Sequence, residues 1–213
     1  MAESGRDDVA VAAVAVAVIG RLEDRSVDLT RSLHGLLVTE IPELSGDTQL
    51  LQLLRDAVAG HLDTFFSAVR HGIRTEHVDL PLAAVEHIRR RAQRGLPVTA
   101  LVRAHRLGHR VVLEAAVEDI RAANLESELA LDVYECVSMM FFDYIDWLSQ
   151  RVISVYQDEY ETWLANQSSL RTSYVRELLS AADVDVDAMT AAIRHPLNRI
   201  HLALVVWCDK TDS

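Results

Sequence analysis

An all-α bundle of about five or six helices, ending in one unusually long helix, is the fold class that three features of the sequence predict. Glycine (8) and proline (4) are scarce among the 213 residues, half of which are hydrophobic. A chain rich in alanine, leucine, valine, glutamate and arginine suits long helices better than a sandwich or barrel. Apolar residues recur three and four positions apart through most of the chain, the period of one helical face. The few glycines and prolines fall where they would start or stop helices.

The elements follow in chain order. The Val/Ala run Val9–Ile19 reads as a buried helix. After it, Leu22, Leu29, Leu33, Leu36, Leu37 and Ile41 share a face until Pro42, with a break expected near Ser26. Asp47 offers an N-cap for a second helix from about Thr48, whose Leu50, Leu51, Leu54, Val58, Leu62, Phe65, Phe66 and Val69 face a core and which Gly72 stops. Asp79-Leu80-Pro81 reads as a capped helix start, the helix running to about Arg94. Gly95-Leu96-Pro97 then makes a tight corner into a fourth helix, about Val98 to Ala123, capped by Asn124. From Glu126 one pattern continues through Val133, Val137, Phe141, Ile145, Leu148, Val152 and Val155 to Leu178. It is densely apolar at first, and a narrower connector-like stripe after about Gln157.

Domain organisation follows: residues 1–180 form a helical domain, and residues 181–213 a linker, a short helix (Ala188–Arg194) and a strand (Ile200–Trp207) that opens an αβ unit. A length of 213 residues allows one sizeable core.

Charge and motifs exclude several functions. A formal charge of −11 opposes binding to phosphate backbones, so DNA contact is expected only through a further segment. Cys136 and Cys208 have neither the number nor the spacing of a disulfide framework or zinc site, which fits a reducing cytoplasm. The Val/Ala run is too short to span a membrane, and its acidic flank, Glu3, Asp7 and Asp8 against Arg6, is wrong for an export signal. No nucleophile elbow, zincin, phosphate-loop or dinucleotide motif occurs, so no catalytic, cofactor or metal residue is assigned and the chain is read as non-enzymatic.

The remaining candidates are weaker patterns. His105 and His109 share a helical face, but Arg103, Arg106 and Arg110 lie between and beside them, which disfavours a cation. Arg89, Arg90, Arg91, Arg94, Arg103, Arg106 and Arg110 form the one strong basic cluster, expected as solvated or salt-bridged faces. Arg94, Arg103, His105, Arg106 and His109 are the candidate surface for an anionic ligand or partner. Haem, which needs only one placed histidine, would draw on His61, His71, His77 or His87. The aromatic stripe Phe141, Phe142, Tyr144, Trp147, Tyr156, Tyr160 and Trp163 suits packing or a pocket for a small effector. Phe141, Ile145, Leu148, Val152 and Val155 are expected on a signalling helix that pairs with its twin in a homodimer.

The stretch from Ala92 through Gly95-Leu96-Pro97 and Arg103-Ala104-His105-Arg106-Leu107 to Gly108, with Ile41-Pro42-Glu43-Leu44, resembles the N-terminal domain shared by RsbR-type stress regulators and actinobacterial PucR-family transcription regulators. The resemblance spans about Leu22 to Leu178, and the family more often has tyrosine at the position of His105. It implies a globin-like, non-haem input domain that senses a signal or mediates oligomerisation. The tail His201–Trp207 resembles the start of the GGDEF-like middle domain of PucR and CdaR regulators, whose C-terminal helix-turn-helix binds DNA. A stressosome co-antagonist acting through protein contacts, and a haem or small-molecule sensor, are the alternatives.

Overall fold

The computed structural model describes residues 4–180, 185–200 and 202. They form seven α-helices, α1 (Ser4–Asp24), α2 (Ser26–Glu40), α3 (Thr48–His71), α4 (Leu82–Gln93), α5 (Val98–Ala122), α6 (Ser127–Ser180) and α7 (Val186–Ile193), with 3-10 turns at Pro42–Leu44 and Thr75–His77. There is no strand among the described residues, and none of their helices is long and apolar enough to cross a membrane. Two compact units divide the chain, residues 1–161 and 162–213.

The punctuation works largely as the sequence predicts. The first helical stretch breaks at Arg25, between α1 and α2. Asp47 caps α3 by accepting the Leu50 N–H at 2.9 Å. Gly72 (φ 61°) and Gly95 (φ 68°) occupy the left-handed region that side chains with a Cβ resist, ending α3 and the turn after α4. The start of α4 differs from expectation. Asp79 does not cap it; Pro81 holds the N-cap position with no side-chain cap bond, and the helix begins at Leu82. The proline alone suffices there, because its fixed φ suits a helix entry.

In the first unit, α3 packs on α4, α2 and α1, and α5 packs on α1 and α2. The first part of α6 completes the core with Val133, Val137, Phe141, Tyr144, Leu148, Val152 and Tyr156. Phe65 of α3 stacks on Phe141 at 4.4 Å between ring centroids and meets Tyr144 at 5.2 Å. Burying each such ring contributes about 2–3 kcal/mol. Phe141, Leu148 and Val152, expected on a dimer-forming face, are therefore buried in the chain's own core, while Ile145 and Val155 lie partly buried at its edge. The apolar side chains that α6 leaves exposed in this unit include Leu131, Tyr134, Met139 and Phe142.

Arg91 is also in the core. The sequence places it in a solvated basic cluster, yet it is 1 % exposed. It donates to the carbonyls of Leu44 (2.6 Å), Glu43 (2.9 Å) and Ser45 (3.1 Å), and its Nε donates to His87 Nε2 (3.1 Å). A guanidinium has enough donors to serve all of these at once, which is how a buried charge avoids the cost of lost hydration. Arg91 thereby ties α4 to the turn that follows α2.

In the second unit α6 continues to Ser180 with Leu164, Leu170 and Leu179 exposed. Asp185 caps α7 by accepting the N–H groups of Asp187 (3.1 Å) and Ala188 (3.0 Å). Of the expected strand Ile200–Trp207, Ile200 and Leu202 are not in a strand, and the other positions lie outside the described residues.

A histidine-lined cavity and the family of the chain

Five helices line a cavity of about 100 Å³ in the first unit. Its walls come from α3 (His61, Phe65), α4 (His87), α5 (Ala104, His105, Gly108, His109) and α6 (Phe141, Tyr144, Ile145, Leu148), with leucine side chains of α2 closing one side. No Asp, Glu, Lys, Arg, Ser or Cys lines it. The hollow is thus an apolar chamber carrying four imidazoles and one phenol.

The histidines are held in distinct ways. The rings of His61 and His105 meet edge to face at 5.5 Å, and His109 lies 6.1 Å from the ring of Phe141. His87 accepts from Arg91, which places its own proton on Nδ1. His61 Nδ1, His105 Nδ1 and His109 Nε2 are sealed from solvent with no hydrogen-bond partner, yet each of these rings keeps part of its surface open to the hollow. Removing an imidazole from water penalises its charged form. Burial, with smaller repulsion from His105 and His87, pushes His61 down to about 3. Burial and the neighbouring Arg91 push His87 to about 3, and burial takes His105 to about 4 and lowers His109. At neutral pH the chamber is uncharged.

The chamber is also physically joined to the long helix. Tyr144 on α6 donates from its hydroxyl to the His61 carbonyl at 3.2 Å, and burial raises its ionisation above the usual phenol range. Just over two helix turns beyond the chamber's last α6 residue, Leu148, the Tyr156 hydroxyl donates to the Leu96 carbonyl at 2.5 Å, fastening α6 to the Gly95 corner.

These contacts split the residues singled out from sequence. His105 and His109 face inward, whereas Arg103 and Arg106 are exposed with no ion pair among the described residues, and Arg94 pairs with Asp47 at 3.2 Å. Arg89, Arg90 and Arg110 pair with Glu159, Glu86 and Glu114. The five residues Arg94, Arg103, His105, Arg106 and His109 therefore do not share one surface. Of the four haem candidates, His61 and His87 reach the chamber, while His71 and His77 are exposed elsewhere. The chamber is a third or less of the ~300–1,000 Å³ that drug-sized ligands need, so a macrocycle does not fit it as it stands. Among the described residues, no group of three or more His, Cys, Asp or Glu side chains is arranged to hold a metal ion.

The family described as the RsbT co-antagonist protein rsbRD N-terminal domain matches residues 27–171, more than half of the chain. The chain belongs to this family. The match starts within α2 and ends within α6, so the rsbRD N-terminal domain of this protein contains every residue that lines the chamber. No curated protein and no solved structure matches the chain. Membership makes it a regulatory, stressosome-type input domain.

Proposed function

We propose that this chain is the non-catalytic signal-input and oligomerisation domain of a cytoplasmic PucR-type transcription regulator, in which occupancy of the histidine chamber biases the packing of α6. The observation that carries the reading is the chamber's shared wall: Phe141, Tyr144, Ile145 and Leu148 of α6 face the same hollow as His61, His87 and His105. A molecule entering there touches the helix that leaves the domain, and a ligand shifts an equilibrium only through such differential contacts. Past Glu161, α6 continues into the second unit with exposed Leu164 and Leu170, a surface suited to pairing with a second copy. The resemblance of His201–Trp207 to the PucR middle domain favours DNA binding by a further segment, in keeping with a charge of −11 that makes this one a poor DNA ligand.

A second reading, a co-antagonist acting through protein contacts alone, is favoured by the family's description. Gly108→Leu separates the two. Gly108 lines the chamber, and a Cβ there meets nothing within 4 Å, so the new side chain fills the hollow without a backbone clash. Transcript levels in a host carrying Gly108→Leu are expected to be locked in one regulatory state. Unchanged regulation would contradict input through the chamber.

A further inference from the structure

The chamber's chemistry restricts what it can hold. About 100 Å³ accommodates roughly four to six non-hydrogen atoms, given that an apolar cavity of ~150 Å³ takes benzene. The walls are leucine, isoleucine, valine, alanine, glycine and phenylalanine, with polarity confined to the imidazoles and Tyr144. No charged side chain lines the hollow, and the guanidinium that bonds its lining residue His87, that of Arg91, is committed to three carbonyls and that ring. A carboxylate or ammonium ligand would lose its hydration with no counter-charge to replace it.

The ring nitrogens set the polarity of the contact. His61 Nδ1 and His105 Nδ1 are sealed and face no acceptor. A proton on either would be an orphaned donor, so the favoured tautomer carries it on Nε2, the unsealed nitrogen of each ring. The two rings lie edge to face, 5.5 Å apart, one on α3 and the other on α5. In that tautomer the two rings, which both line the pocket, offer it two N–H donors. We infer that the chamber binds a small uncharged organic molecule of about four to six non-hydrogen atoms, its carbonyl or hydroxyl oxygen accepting from His61 and His105 and its apolar body lying against Phe65, Phe141 and Leu148. This inference rests on the chamber being the input site and names the class of molecule that site takes.

Neutral imidazoles suit this ligand. Because burial holds His61 and His105 well below neutrality, both donors are present without a charge across the physiological range. With so few atoms, each limited in what it can contribute, such a ligand binds no more tightly than about the micromolar range.

The test is a titration of the 213-residue chain, labelled with 15N-histidine, against 2-butanone, with acetate and Zn²⁺ as separate titrants. The Nε2 signals of His61 and His105 are expected to shift together and saturate with butanone, and His61→Phe is expected to weaken binding about tenfold by removing one donor. Should that variant fail to fold, the titration of the unsubstituted chain decides. An absence of saturable shift with butanone, acetate binding as tightly as butanone, or a response to Zn²⁺ alone would overturn the inference. Hydrogen exchange along α6, recorded on the same butanone-bound sample, separates the two readings. Histidine shifts with unchanged exchange in α6 uphold the ligand class and refute signalling through that helix.

Discussion

Replacing Arg91 by methionine removes the fork that joins α4 to the turn after α2 while keeping much of the side chain's apolar stem. The Arg91 side chain donates to three carbonyls and to His87 Nε2. Glu43 and Ser45 are exposed, so their carbonyls can regain water, whereas Leu44 and His87 are buried and theirs cannot. Two buried acceptors left without donors cost about 1–3 kcal/mol each, or about 2–6 kcal/mol together. For a domain of this length each kcal/mol corresponds to about 2–4 °C, so the melting temperature followed by helical circular dichroism should fall by at least about 4 °C. A second readout comes from His87, whose protonation Arg91 opposes; its titration, followed by NMR, should move upward in the variant. A melting temperature within about 2 °C of the parent, with His87 unmoved, would refute the assignment of Arg91 as the tie between these segments.

Acid should destabilise the domain through the chamber. His61, His87 and His105 have folded-state values of about 3, 3 and 4, below the ordinary value of 6.5. Their contribution is fully present above about pH 6.5 and is lost as pH falls toward the folded values, by up to about 4 kcal/mol per pH unit when three protons are involved. Urea midpoints measured from pH 7 to 4.5 check this, and a flat profile would count against enclosed imidazoles. Tyr144→Phe removes the α6 hydroxyl that reaches the His61 carbonyl; a loss of about 1 kcal/mol in chemical denaturation is expected, with the ring packing on Phe65 retained.

The helices were legible because their ends carry local chemistry. Asp47, Gly72, Gly95 and Pro97 act within a turn of where they stand, and the sequence alone locates α3, α5 and the start of α6 to within a residue or so. The family signature also sits on structural hardware: the Gly95 corner is gripped by Tyr156 of α6. The chamber was less legible because it assembles single histidines from three helices, and a lone His61 or His87 has no sequence mark of its own. Part of it could have been found. His105 and His109 share a helical face with Leu101, Ala104, Gly108 and Val112, an apolar stripe, while Arg103, Arg106 and Arg110 fall away from it. Reading the five residues as one patch followed their nearness in sequence rather than their angle on the helix. Arg91 gave a similar signal, standing three residues from Ile88 and seven from Ala84, both in the core. The core role of Phe141, Leu148 and Val152 is illegible in the sequence for a different reason. The apolar period of α6 identifies an inward face, and nothing in that period distinguishes the chain's own core from a partner's.

Hydrogen exchange along α6 in Gly108→Leu, compared with the parent chain, tests most directly whether the chamber communicates with the long helix. The substitution fills the hollow from α5, where a Cβ has open space, and should not weaken α5 itself because leucine favours helix over glycine. The account predicts altered protection in α6 from Phe141 through Leu148 and onward past Tyr156. A change confined to α3, α4 and α5, with α6 exchanging as in the parent, would contradict it.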